Sequence, residues 1–280
     1  MTLTLALALL WAPARAWIVP GVLALIFALV GGLIDLRGLI GLLAFAAACI
    51  AANRARGLLL VVVTHAIMVA IGAGLFLHLL PGIDNPLVVS DAVLSPGAAP
   101  YSKYLNFDKG VAGLFLLGLY APDRLTSDEG LRHVPGLLWR FAIITTVVMA
   151  LSFALGFVRW DPKLPSWWPM WTWSMIALTA LPEEAVFRGV VQTWIARWLT
   201  GAEVAQAPLI AMTIAGLLFG MAHIAGGPAY VLLATVAGLG YGWVYASTRS
   251  IGASIAAHTG VNIIHFLFFT YPALAHAVAM

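Results

Sequence analysis

The chain has 280 residues, of which 62% are hydrophobic and only 9% charged, and its formal net charge is +3. Ordinary soluble domains carry roughly 25% charged residues, so this sequence has too little polar material to cover a globular exterior. Soluble enzyme, disordered chain, collagen-like rod and nucleic-acid reader are poor readings; a polytopic helical membrane protein is the strong one.

The N-terminal MTLTLALALLWAPARA has a short apolar stretch and an Ala14-Arg15-Ala16 ending that mimics a signal cleavage site. It lacks the basic n-region of such signals, so it reads as a short first membrane segment or interfacial helix. A helix needs about 20 apolar residues to span the bilayer core. By that measure the expected spans are 17–34, 38–53, 58–80, 109–121, 136–158, 168–198, 206–225, 228–248 and 250–275. The fold class expected is therefore all-α: a transmembrane bundle of about eight to nine helices, with a polar cavity to admit water. Two parts are expected within one integrated membrane domain: N-terminal helices and a loop over 1–135, and a catalytic core over 136–280.

Within these spans, 38–53 and 109–121 are short, and 168–198 contains Pro182, which predicts a kink or break. The intervals 81–108 and 121–135 read as extramembrane loops; placing Arg15, Arg54, Arg56, Arg197 and Arg249 in the cytoplasm puts 81–108 and 159–167 outside. Gly216 with Gly220, and Gly238 with Gly242, form small-xxx-small pairs that let helices approach closely. Cys49 lies in an apolar run and reads as packing. His65 and His78 read as packing or cavity-lining groups of the 58–80 span, His133 and His276 as interfacial, and Arg140 as snorkelling. Trp160, Trp167, Trp168, Trp171 and Trp173 read as an interfacial belt.

Ionisable groups inside apolar segments carry the functional information, because a charge at mid-bilayer costs about 2.5–3.5 kcal/mol on insertion scales. The outstanding case is Leu181-Pro182-Glu183-Glu184-Ala185-Val186-Phe187-Arg188. Glu184 and Arg188 share an α-helical face at four apart. Glu183 lies roughly 100° round the helix and has no sequence-local cation, which suits a general base. Two more clusters follow: Phe219 with His223, and His258 with Asn262, each four apart, with His265 near by. Such a set is able to deprotonate a water (Glu183, His223) and to donate hydrogen bonds to the oxyanion of an attacked amide (His258, Asn262).

In that order, Glu183-Glu184-x-x-x-Arg188, Phe219-x-x-x-His223 and His258-x-x-x-Asn262 resemble the motifs of the CPBP intramembrane proteases, which include the Ras-converting CAAX prenyl endopeptidases and many bacterial relatives. The resemblance covers roughly 168–275. It implies an intramembrane endopeptidase in which Glu183, His223, His258 and Asn262 are catalytic and Glu184, Arg188 and Phe219 supporting. No cofactor is expected; there is no H-E-x-x-H, and a zinc alternative would take Glu183, His223 and His258. The expected partners are the lipid bilayer and a membrane-associated or lipidated protein substrate, with no nucleic acid. The expected location is multi-pass in a bacterial inner (plasma) membrane. Two other functions compete, a non-catalytic partner-binding membrane protein and a proton-coupled transporter.

Overall fold

A computed structural model describes residues 1–121, 123 and 134–278. Most of the 121–135 interval, His133 included, lies outside them. The protein is mostly helical. Among the described residues, five helices are long and apolar enough to cross a membrane: Leu36–Arg54, Leu58–Phe76, Gly136–Ala154, Ile224–Thr248 and Ile251–Phe268. Thr2–Trp11, Ile18–Val30 and Ala207–Met221 are apolar but shorter.

The all-α expectation has one exception. Strands β1 (Leu87–Ala92) and β2 (Tyr101–Tyr104) pair antiparallel, with Leu87 opposite Tyr104 and Ala92 opposite Tyr101. Val88, Val89, Tyr101 and Tyr104 are strand formers, and the Pro- and Gly-containing stretch between the strands lets the chain reverse.

The chain divides into two compact units. The first comprises Met1–Pro86, Leu105–Thr126 and Ala177–Val186. Its Leu36–Arg54 helix starts at Asp35, whose carboxylate accepts from the amides of Arg37 at 2.8 Å and Gly38 at 3.0 Å. That is an N-cap satisfying two of the donors every helix start leaves open. The expected span 109–121 is a helix over Phe107–Phe115 continued by a π-helical turn over Leu116–Tyr120. Every residue from Phe107 to Phe115 except Lys109 is buried. Two glycines explain how it packs so closely. A Cβ on Gly110 would stand 2.7 Å from Leu178 Cδ2, and one on Gly113 would stand 2.9 Å from the Pro182 Cα. The Leu58–Phe76 helix holds His65, buried, with Nε2 3.0 Å from the Tyr120 hydroxyl. His78, expected in the same span, lies beyond the helix end with φ 57°.

The second unit comprises Leu87–Tyr104, Ser127–Ile176 and Phe187–Met280. Here the Ala207–Met221 and Gly227–Thr248 helices pack through the glycines singled out above. A Cβ on Gly216 would meet Leu239, one on Gly220 would meet Thr235 and the Val231 carbonyl, and one on Gly238 would meet Phe219. The Ile251–Phe268 helix is capped by Ser250, whose Oγ accepts from the Ala253 amide at 2.9 Å. The tryptophans depart from a simple belt. Trp160 is 62% exposed, but Trp171 is fully buried, stacks on Phe266 at 4.0 Å and donates its indole N–H to the Tyr101 hydroxyl at 3.0 Å. Trp167 stacks on Tyr101. An indole with an internal acceptor for its N–H loses nothing by leaving the interface, so this part of the expected belt is an inner cluster that anchors β2.

Candidate active site

The Glu183-Glu184 pair belongs to the first unit. Backbone from Trp168 to Gly201 is helical, but not uniformly α: π-helical stretches over Ile176–Ala180 and Ala185–Gln192 flank the short α turn Leu181–Glu184. Pro182 neither ends nor breaks the run. Proline brings no N–H, and its ring clashes with the carbonyl one α-turn back; a π turn in front of it changes that spacing, which is how the helical run accommodates Pro182. Isolated π turns occur often at functional sites. Glu184 is fully buried and Glu183 half-buried. Pro182 and Leu181 pack on Gly113, so backbone of the Phe107–Phe115 helix sets the position of the two-carboxylate turn.

The remaining proposed residues belong to the second unit, where Phe219 gathers His223, His258 and Arg188. The His223 ring lies 4.8 Å from the Phe219 ring and the His258 ring 5.6 Å from it at 80°. The Arg188 guanidinium sits 5.1 Å from the same ring and 5.6 Å from Tyr241, and its Nη2 donates to the Gly238 carbonyl at 2.6 Å. A fully buried guanidinium is tolerable only with such hydrogen-bonding and cation–π partners. Sequence spacing offered Glu184 alone as its partner and gave no sign of Gly238 or the rings. Because Arg188 lies on a π-helical stretch, the α-helical face argument for Glu184 and Arg188 does not carry over unchanged.

His223 stands just past the Ala207–Met221 helix. Its Nδ1 is 2.7 Å from the Phe219 carbonyl. A carbonyl only accepts, so Nδ1 carries the hydrogen and a neutral ring keeps its lone pair on Nε2. That is the tautomer of a base. His258 is 3% exposed and stacks on Tyr241 at 4.5 Å and 14°. One turn earlier on the same helix, Ser254 Oγ donates to the Tyr241 carbonyl at 3.1 Å, fixing the helix against its neighbour. One turn later, Asn262 Nδ2 donates to Met175 Sδ at 3.2 Å. His265, on the same helix, has Nε2 3.2 Å from the Thr270 carbonyl.

Sequence reasoning missed Tyr241, Tyr230 and Met175. Tyr230 stands edge-on to His223 at 5.3 Å. A tyrosine in an apolar helix gives no signal of its own; Tyr241, seventeen residues before His258, is recognisable only once the two helices pack.

Among the described residues, no group of three or more His, Cys, Asp or Glu side chains is arranged to hold a metal ion.

Residues 165–264 match a family model described as "Rce1-like: Type II CAAX prenyl endopeptidase Rce1-like". This segment is similar to that family. The match takes in Glu183, Glu184, Arg188, Phe219, His223, His258 and Asn262, all the residues on which the resemblance to CPBP intramembrane proteases rests. No curated protein and no solved structure matches the chain significantly. Together with five apolar helices, the Rce1-like segment supports an integral membrane protease of the CAAX type at family level.

Proposed function

We propose that the chain is a glutamate-type intramembrane endopeptidase that cleaves a peptide bond in a membrane-associated or lipidated protein. Glu183 and His223 take a proton from a water whose oxygen attacks the amide carbonyl. N–H groups of His258 and Asn262 donate to the oxyanion. Collapse of the tetrahedral adduct breaks the C–N bond, and the held proton passes to the leaving nitrogen. Glu184 and Arg188 support the geometry, as does the Phe219 ring. The reaction needs water, so the proposal includes a polar cavity within a bundle of about eight to nine membrane helices. It also assigns 136–280 as the catalytic core and a bacterial inner membrane as its place.

One observation carries the reading most: two imidazoles and a buried guanidinium collect on one phenylalanine ring, with His223 held in the tautomer of a base. A packing role for each histidine alone gives no reason for that convergence. The test is cleavage of a farnesylated C-terminal peptide, and of the same peptide without the lipid, by wild type and Glu183→Gln protein in liposomes. Cleavage by wild type only supports the reading, and the lipid dependence names the substrate class. Equal cleavage by both proteins, or by neither, removes it. A chelator arm tests the zinc alternative: loss of activity restored by zinc would replace the metal-free mechanism.

A further inference from the structure

In the first unit, outside the Rce1-like segment, three polar side chains converge on one point. Asp108 Oδ2 lies 2.6 Å from His78 Nδ1 and 2.9 Å from Asn85 Nδ2, and Asn85 Nδ2 lies 3.1 Å from His78 Nδ1. Asp108 is 2% exposed. Its other oxygen, Oδ1, accepts from the Lys109 amide at 2.7 Å, which leaves Oδ2 turned to the triangle.

Hydrogen bonds account for two of the three contacts, both to Asp108 Oδ2, and leave the third as a bare approach of His78 and Asn85. If His78 Nδ1 carries a hydrogen for Asp108, it has no lone pair for the Asn85 amide. If it keeps its lone pair for Asn85, the 2.6 Å contact sets that lone pair against a carboxylate oxygen. Turning the amide round puts Asn85 Oδ1 against the Asp108 carboxylate. No state with an ionised Asp108 satisfies all three contacts by hydrogen bonds. In its present orientation, Asn85 Oδ1 is buried with no hydrogen-bond partner, so turning the amide gives up no bond at that atom. Amide orientation in such a cluster is settled by its partners.

A cation closes the account. With the amide turned, the triangle presents three acceptors: a carboxylate oxygen, a carboxamide oxygen and an imidazole nitrogen. Adjacent ligands about 2.1 Å from an octahedral ion stand about 3.0 Å apart, against about 3.4 Å around a tetrahedral one of similar bond length. The observed edges of 2.6, 2.9 and 3.1 Å suit the octahedral ion. One nitrogen and two oxygens suit a first-row divalent ion better than calcium. His78 is held at φ 57°, a conformation a non-glycine residue adopts at a cost of order 1 kcal/mol or more. Its side chain is 41% exposed, so an ion has a way in.

We propose that His78, Asn85 and Asp108 form a binding site for a small octahedral divalent cation such as Mn²⁺, with three protein ligands and the other positions filled by water. The ion ties the segment after the Leu58–Phe76 helix to the first turn of the Phe107–Phe115 helix. That helix supports the Glu183 turn through Gly113, so the ion acts as a structural brace and not as a reagent. The site stands independently of the cleavage proposed above. It also gives a chelator a target other than Glu183, His223 and His258.

The experiment is a Mn²⁺ titration of the metal-stripped full chain in detergent, followed by paramagnetic resonance. Wild type takes up one saturable ion, Asp108→Asn weakens it at least tenfold, and His223→Ala leaves it unchanged. Asn85→Asp strengthens uptake, because a second carboxylate faces the ion; this variant decides the matter if Asp108→Asn fails to fold. No saturable uptake by wild type, uptake lost in His223→Ala, or no gain in Asn85→Asp would overturn the site and leave a plain His–Asp pair.

Discussion

The two units hold their proposed functional residues by different means. In the first, the turn with Glu183 and Glu184 lies against glycine backbone, with no side chain at Gly113 to adjust. In the second, His223, His258 and Arg188 lie against aromatic rings, which share the load among several edges and faces. Backbone on backbone fixes a position sharply and tolerates no added atom. A ring stack tolerates partial loss, because each neighbour supplies a modest part of the total. The carboxylate side should therefore fail abruptly on small substitutions and the imidazole side gradually.

The largest effects bypass this contrast, since they remove the reacting groups themselves. Glu183→Gln and His223→Ala should each lower peptide cleavage in liposomes by about 10²–10⁴-fold, the usual worth of a positioned acid or base. Thermal unfolding in detergent should stay close to wild type for both. Cleavage within tenfold of wild type in either variant would take that residue out of the reaction.

Next comes the contrast itself. Gly113→Ala should cost about 1–3 kcal/mol, as overpacking does, because its methyl would meet the Pro182 Cα at 2.9 Å. Adding Leu181→Ala should not restore stability, since the backbone obstacle remains. Gly110→Ala meets a side-chain end, Leu178 Cδ2 at 2.7 Å, so adding Leu178→Ala should recover much of its loss. Melting curves of the four proteins test this. Rescue in both pairs, or in neither, would mean that the glycines act alike and that backbone contact is not what fixes the turn.

These devices were unequally visible in the sequence. Apolar run length located the Leu36–Arg54, Leu58–Phe76 and Gly227–Thr248 helices to within a few residues. Spacing also located Gly216, Gly220 and Gly238 as contact points, because close approach in lipid leaves small residues behind. The motif residues were legible as polar groups out of place. The π turns around Leu181–Glu184 were not, since no side-chain pattern distinguishes i→i+5 from i→i+4 bonding in an apolar run. Nor was the burial of the 107–115 helix: hydropathy alone does not separate a segment facing lipid from one enclosed by protein. Gly110 and Gly113 are three apart, and the four-residue pattern passed over them.

On the imidazole side, Tyr241→Leu should cost about 0.5–1.5 kcal/mol beyond the lost area, by removing the ring stacked on His258. Tyr241→Phe keeps the ring and should keep the stack. Cleavage by the leucine variant should fall by less than tenfold, because Phe219 still borders His258. A collapse as deep as that of His223→Ala would mean that the stack is as unforgiving as the glycine contact.

The smallest effect separates the units by pH. In the first, Asp35 is held below its ordinary 3.8 by its hydrogen bond from the Arg37 side chain and then by the Gly38 amide. A depressed carboxylate stabilises the fold above its unfolded value, and that contribution fades as pH falls through the lowered one. In the second, burial, reinforced by Tyr101, raises Tyr271 well above 10.0. A phenol kept neutral by the fold stabilises it fully below the unfolded value; that contribution is lost as pH climbs past 10 and the unfolded chain ionises first. Acid should thus weaken the capped start of the Leu36–Arg54 helix, and alkali the aromatic cluster under β2. Melting temperatures followed across pH in wild type, Asp35→Asn and Tyr271→Phe check both limbs. Asp35→Asn should flatten only the acid limb and Tyr271→Phe only the alkaline one. A variant that flattens the wrong limb, or both, would mean that the two units do not respond to protons through these groups.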